Sequence, residues 1–287
     1  MENFYQQSGW AAVLKRFSRH KPAALGLVMI AGLIFCAVFA PLIAPRNPYQ
    51  IGYKFEAPPS REHILGTDQV GRDVFSRLIY ASRVSVSVGM GTVLLSTFLG
   101  VFLGLQSGYF GGAVDMIIMR IADVFMSFPS LILIMVITAI FGPGLDRIIL
   151  IMGILGWPSA ARLVRGNVLS IKQMDYIKST VTLGFKTRRI LLLHVLPNTI
   201  SPILVQATFG IAGAIIMESA LSFLGLGVNP PVASWGNMLT DAQSLTTLTA
   251  RPWLWAPPGL MIFLSVLSFN FVGDGLRDAL DPRSIQR

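Results

Sequence analysis

Long apolar runs separated by short charged segments set the pattern of this chain. Residues 22–45 carry no charged side chain, and neither do residues 84–114. A helix of about 20 apolar residues spans the roughly 30 Å of bilayer hydrocarbon, so each run predicts a crossing. The first run follows Lys15, Arg16, Arg19 and Lys21, as the apolar part of a signal peptide would. Its apolar stretch is too long for that, and Pro41 and Pro45 replace a small-residue cleavage site, so it reads as a retained anchor. In the second run Gly100 and Gly104 form a small-xxx-small pair that permits close helix approach. A third run, Ala113 to Phe141, opens on Asp115, Arg120 and Asp123 and ends at Gly142-Pro143-Gly144. Pro129 should kink it, because proline lacks an amide donor and clashes with the preceding turn. Shorter or singly charged runs follow: Arg147 to Ala161, interrupted by Pro158; Thr199 to Leu224, with Glu218 its only charge; and Trp253 to Val272, before Asp274. The pattern predicts an all-α, polytopic membrane protein with about six transmembrane helices.

The charged segments orient it. Arg162, Arg165, Lys172, Lys178, Lys186, Arg188 and Arg189 lie between the fourth and fifth spans, opposed by Asp175 alone. With six spans this segment and the basic N-terminus share a side, and the positive-inside rule makes both, and the C-terminus, cytoplasmic. Residues 46–83 then face outward, where Glu56, Glu62, Asp68 and Asp73 dilute the basic residues. Val70, Val74, Phe75, Leu78 and Ile79 recur there at helical spacing, with Arg72, Asp73, Arg77 and Arg83 off the stripe. That pattern fits an amphipathic helix resting on the membrane face, or a plain connector.

Residues 167–198 carry a second stripe: Val168, Ile171, Met174, Ile177 and Val181. It predicts one helix from about Val168 to Leu183, closed by Gly184 in a left-handed cap. A short helix over Thr187 to Val195 should follow, stopped by Pro197 before the next span. The stripe needs something to bury against, either the ends of the chain's own helices or a groove on a partner.

Composition agrees with a membrane protein. Apolar residues make up 53% of the 287 positions and charged residues only 13%, against about 25% charged in soluble domains. The net charge of +9 follows from basic loops between apolar spans, so nucleic acid is not an expected partner. The single cysteine, Cys36, lies in the first run and forms no internal disulfide or zinc set. There is no G-x-x-x-x-G-K-[ST] loop and no H-E-x-x-H pair, so neither P-loop ATP hydrolysis nor that zinc chemistry belongs to this chain. No catalytic or metal-ligating residues are expected.

The stretch from Arg165 to Asn198, above all Asp175-Tyr176, Leu183-Gly184 and His194-Val195-Leu196-Pro197-Asn198, resembles the EAA loop of binding-protein-dependent ABC import permeases. Three more stretches resemble the C-type subunit of the dipeptide/oligopeptide/nickel permeases: His63 through Asp73, Glu218 through Gly227, and Phe271 through Arg283. The resemblance implies a type I ABC importer permease fold (MetI-like) in a bacterial cytoplasmic membrane. It implies a division into a cytoplasmic segment 1–21, a first helix 22–45, an outer loop 46–83, a permease core 84–275 holding the coupling loop 167–198, and a tail 276–287. The implied partners are a sister permease, two ABC ATPases that hold ATP and Mg, an extracytoplasmic binding protein, and membrane lipid; this chain itself holds no cofactor. The coupling residues implied are Asp175, Tyr176, Lys178, Ser179, Thr180, Leu183, Gly184, Arg189, His194, Pro197 and Asn198. One departure stands out. Lys178-Ser179-Thr180 occupies the place where the family has an acidic residue and two alanines, so a lysine would there favour an acidic partner.

Other residues have two readings. Glu218 is a pathway candidate by its place in a span, or it pairs with neighbouring helices; Asp123 is a candidate for the same two roles. His63 reads as a metal ligand or a loop contact, and His194 as a proton carrier or a packing residue. Asp274, Arg277, Asp278 and Asp281 read as a helix end. The implied cargo is a di- or oligopeptide, with nickel, metal chelates or glutathione as alternatives. A single-component secondary transporter is the competing class, but it should show internal repeats, and none is evident.

Overall fold

The computed structural model describes residues 10–280, and every regular element among them is helical. In chain order these are α1 (Trp10–Arg19), α2 (Lys21–Val38), α3 (Ala40–Ile43), α4 (Val74–Phe110), α5 (Gly112–Ser127), α6 (Ser130–Phe141), α7 (Leu145–Lys172), α8 (Asp175–Thr182) and α9 (Thr187–Ile190). A π turn (Leu191–Val195) leads into α10 (Leu196–Phe223), followed by α11 (Trp235–Met238), a 3-10 turn (Leu239–Gln243), α12 (Leu245–Ala250) and α13 (Pro252–Leu280). Five helical segments are long and apolar enough to cross a membrane, and α5 with α6 forms a sixth candidate bent by 87°.

Side-chain contacts give the direction of each helix. A methyl placed on Gly91 would meet Ile149, one on Gly104 would meet Val164, and one on Gly108 would meet Val168. Residue numbers rise together, so α4 and α7 are parallel. Phe110 and Leu145 therefore lie at opposite ends of the pair, and α5 with α6 must carry the chain back between them. With the bent pair counted as one crossing, the described residues hold six candidate spans. The other contacts pair helices antiparallel: Ser85 with Glu218 and Val93 with Gly210 join α4 to α10, and Ala23 with Gly275 joins α2 to α13. The start of α2, the end of α13 and residues 173–195 share one end of the bundle, where His20 Nε2 lies 3.5 Å from Asp278 Oδ2.

The α4–α7 contact rests on a row of glycines. Inside a bilayer no hydrophobic drive brings helices together, so association depends on close packing over small residues. Gly100, Gly104 and Gly108 lie one turn apart and face Ala160, Ala161, Val164 and Val168. The row extends the Gly100/Gly104 pair by one more turn. Leu94, Phe98 and Phe102 point the other way and are largely exposed, as a lipid-facing surface requires.

Several elements differ from the sequence expectation. The first run breaks at Phe39 into α2 and α3, with Pro41 in the first turn of α3. The outer amphipathic helix and the second span are one helix of 37 residues. Two residues of its supposed polar face are interior: Asp73 and Arg77 are 1% and 4% exposed, while Val70 and Arg83 are exposed. Pro129 produces a right-angled elbow rather than a kink. Pro158 stays inside α7, which runs to Lys172, and α13 carries Pro257 and Pro258 and continues past Asp274 to Leu280. Asp281, the end of the 271–283 motif and residues 1–9 lie outside the described residues.

Candidate functional site

The end of the bundle that holds both described termini also carries residues 173–195, an ordered structure rather than an open loop. The expected single helix over 168–183 is two. Helix α7 ends at Lys172, Met174 is extended, and α8 begins at Asp175. Val168, Ile171 and Ile177 are buried, whereas Met174 and Val181 are 46% and 53% exposed. The stripe is therefore shared between an anchoring half and a half left facing outward. Ile177, Ile190 and Val195 anchor the segment against Leu105, Val164, Val168 and Ile171.

Gly184 closes α8. Its φ is +74°, its amide donates to the carbonyl of Val181 at 3.0 Å, and the next amide, of Phe185, donates to Thr180 at 3.1 Å. This is the Schellman arrangement, which satisfies carbonyls that a helix end would leave unpaired. Phe185 is then held by two neighbours. The His194 ring stacks on it at 6.5 Å between centroids, and the Arg189 guanidinium lies 4.9 Å from its centre. Asn198 Nδ2 donates to the His194 carbonyl at 2.6 Å and to the Tyr176 hydroxyl at 3.3 Å, tying α10 to α8. Ser179 and Thr180 donate back to the carbonyls of Asp175 and Ile177. Asp175 accepts from Lys178 at 3.2 Å. Leu183 is 71% exposed.

Pro197 does not stop the chain. It sits in the first turn of α10, directly after the π turn, and Thr187 to Phe223 forms one helical rod. The wider π turn shifts the hydrogen-bond register and makes room for a residue that has no amide to give.

Charged residues brace the base of this structure. The Arg165 guanidinium makes a two-toothed pair with Asp115, which also accepts from Ser107. Lys172 Nζ donates to the Tyr109 carbonyl at 2.6 Å. Asp123 pairs with Arg162 and lies 3.8 Å from Arg120, so it joins α5 to α7 at the surface.

The opposite end is built from residues 46–73 and 225–251. Glu218 is fully buried. It accepts from Ser222 at 2.7 Å and Ser85 at 3.4 Å, and Ser85 accepts from the Trp235 amide at 3.1 Å. Glu218 thus fastens α4, α10 and the loop that carries Trp235 together. His63 Nδ1 lies 2.8 Å from Asp73, and Asp73 caps α4 by accepting from the Ser76 amide at 2.8 Å. Asp68 accepts from Arg72 at 2.7 Å and lies 3.5 Å from Arg77.

Asp241, on the 3-10 turn, shares a cleft with Asp68, Arg72 and Arg77. Burial, aided by Asp68, pushes its carboxyl up to about 6, against the pull of Arg77 and Arg72. The folded chain thus holds this proton more tightly than the unfolded chain. The stabilisation is present below the ordinary carboxylate range and is lost as pH rises through about 6. Asp241→Asn, neutral at every pH, should therefore melt above the wild type at pH 7.5. The gap in melting temperature should narrow on acidification to pH 5 and close only below the ordinary carboxylate range; a gap that stays constant would exclude burial of this carboxyl.

The Ser85–Glu218–Trp235 connection, the Asp115–Arg165 pair and Gly108 were not singled out in the sequence. Only Gly108 had a usable signal, its spacing from Gly104.

Six candidate crossings, with a folded two-helix segment at one end and a folded cap at the other, make this a polytopic helical membrane protein. A family profile described as "Binding-protein-dependent transport system inner membrane component" matches residues 96–286. A second, "N-terminal TM domain of oligopeptide transport permease C", matches residues 8–59. The chain belongs to the binding-protein-dependent transport system inner membrane components. It is 42% identical to the dipeptide transport system permease protein DppC of Alkalihalophilus pseudofirmus, over 96% of this chain and 90% of that one. It is also 42% identical to the oligopeptide transport system permease protein OppC of Bacillus subtilis, over the same shares. A structure of the inward-facing MetNI methionine ABC transporter superposes with a TM-score of 0.52 at 19% identity, covering 68% of this chain and 94% of that chain, and shows the shared fold.

Proposed function

We propose that this chain imports di- and oligopeptides as one of two permeases forming a shared pathway. Residues 173–195 dock in a cleft of a cytoplasmic ATPase, and a binding protein delivers peptide to the opposite face. The observation that carries the docking is the split stripe. Ile177, Ile190 and Val195 are buried in the chain's own core, while Met174, Tyr176, Val181 and Leu183 stay exposed on a conformation fixed by the Gly184 cap. The basic residues of this segment and of α1 favour the cytoplasmic side for this end. The cargo follows from the relatives' names, and the C-type role from the same relatives. ATP held by the partner subunits closes them together, moves the two loops and biases the pathway between its inward and outward states.

Leu183→Asp tests the docking. Leu183 is mostly exposed, so the fold should survive. A charge placed in an apolar contact should weaken ATPase retention about tenfold or more. Affinity-tagged chain should recover the sister permease and ATPases as wild type and lose the ATPases as Leu183→Asp. Full ATPase recovery by the variant would remove the loop from the interface, and peptide uptake by this chain alone in liposomes would overturn the multi-subunit reading.

A further inference from the structure

Midway through the bundle α4, α6, α7 and α10 line an open cleft of about 270 Å³. Its walls carry Thr92, Thr97, Ser130, Ser159, Gln206 and Gly213, and no lining residue is charged. Its depth follows from the landmarks at each end. Gln206 lies roughly 18 Å along α10 from Glu218, and Ser159 roughly 9 Å along α7 from Arg165, at 1.5 Å per residue. The cleft is therefore in the hydrocarbon zone, where lipid-facing positions should be large and apolar. Ser130, Ser159 and Gly213 are nevertheless exposed, while Leu94 and Phe98, on the other side of α4, satisfy the lipid rule.

Thr92 gives an independent indication. It is 6% exposed, lines the cleft, and its hydroxyl has no hydrogen-bond partner. Threonines in membrane helices commonly bond back to the preceding turn, as Thr199 and Thr208 do here. A hydroxyl left unpaired in a bilayer costs free energy unless water or cargo meets it.

We infer that this cleft is the chain's share of the transport pathway, and that it receives peptide through backbone amides rather than through charged side chains. Hydroxyls and the Gln206 carboxamide both donate to and accept from amides. An uncharged wall neither attracts nor repels a cargo's ionised side chains strongly, so peptides of either sign can pass. The inference rests on the permease reading for the identity of the cargo, but not for the wetness of the cleft.

Single cysteines at Thr97, Ser159 and Gly213, with Leu94 and Phe98 as controls, test it in a Cys36→Ala background within the full membrane complex. The probe is a membrane-impermeant cationic thiosulfonate. A thiol must ionise to react, which needs water, so the cleft positions should label roughly tenfold or more faster than the controls. A di-alanine cargo supplied with the binding protein should slow them. Labelling no faster than at Leu94 would make the cleft a lipid face. Fast labelling of the isolated chain with none in the complex, with and without ATP, would make it a contact with the sister permease. Either result overturns the inference. Fast labelling in a chain that binds no ATPase keeps the wet cleft and removes the permease reading instead. In the full importer, Ser159→Asp should shift the uptake ratio of lysine- to glutamate-containing dipeptides about fivefold toward the cationic one, by charge complementarity. An unchanged ratio would place the cargo elsewhere.

Discussion

Gly104→Leu is expected to leave almost no folded protein in the membrane. A Cβ at Gly104 would sit 2.6 Å from the Ala161 carbonyl oxygen and 2.8 Å from the Val164 Cβ. The first of these is backbone, which cannot rotate away. The α4–α7 pair must then separate along the row Gly100, Gly104 and Gly108, and the dispersion contacts that replace the hydrophobic effect inside a bilayer are lost together. Overpacking a core costs about 1–3 kcal/mol when side chains can shift; a branched side chain against backbone should exceed that range. The yield of monodisperse protein in detergent and its melting temperature are the readouts. Gly32→Leu is the control, because a Cβ at Gly32 meets nothing within 4 Å. Wild-type yield and melting temperature for Gly104→Leu would show that the helices are not in direct contact there.

A second large effect is expected at Gly184, for the opposite reason. A Cβ there meets nothing within 4 Å, so the constraint is conformational. At φ +74° an L side chain costs about 1–2 kcal/mol, while asparagine tolerates this region better than other residues. Proline is worse than either, because its ring fixes φ near −65° and removes the amide that donates to Val181. The full complex should therefore transport nearly normally with Gly184→Asn and several-fold less with Gly184→Val. Gly184→Pro should hydrolyse ATP with uptake reduced roughly tenfold or more, the cap being lost altogether. The ratio of peptide imported to ATP consumed is the measurement. Normal coupling in Gly184→Pro would show that the cap does not transmit the ATPase motion.

Much of this architecture is legible in the sequence, and the misreadings share a cause. Apolar runs mark the spans because lipid imposes one solvent on every exposed face. Periodicity reports a face and not its neighbour. Arg77 reads as solvent-facing from its spacing, yet Asp68, nine positions earlier, draws it into the interior. The stripe from Val168 to Val181 reads as one helix because a break at Gln173 and Met174 preserves its phase while dividing its burial. Pro197 reads as a stop because local rules do not foresee a π turn built around it. The Glu218 seat was out of reach altogether. Ser85 lies 133 positions away from it, and serines in spans are too common to mark a partner.

The unbroken passage from Thr187 to Phe223 turns two remote sites into the two ends of a lever. At 1.5 Å per residue it is roughly 55 Å long, more than the thickness of the hydrocarbon. Arg189 rides at one tip and Glu218, gripping Ser85, near the other. Its weakest joint is the π turn followed by Pro197 and Pro202, close to the end where force would enter. A small displacement applied beyond that joint is taken up as bending, whereas one applied on the span side swings the whole shaft. On the proposed coupling, the stiffness of a few residues around His194 would set how much of an ATPase stroke reaches the Trp235 cap at the other end of the bundle.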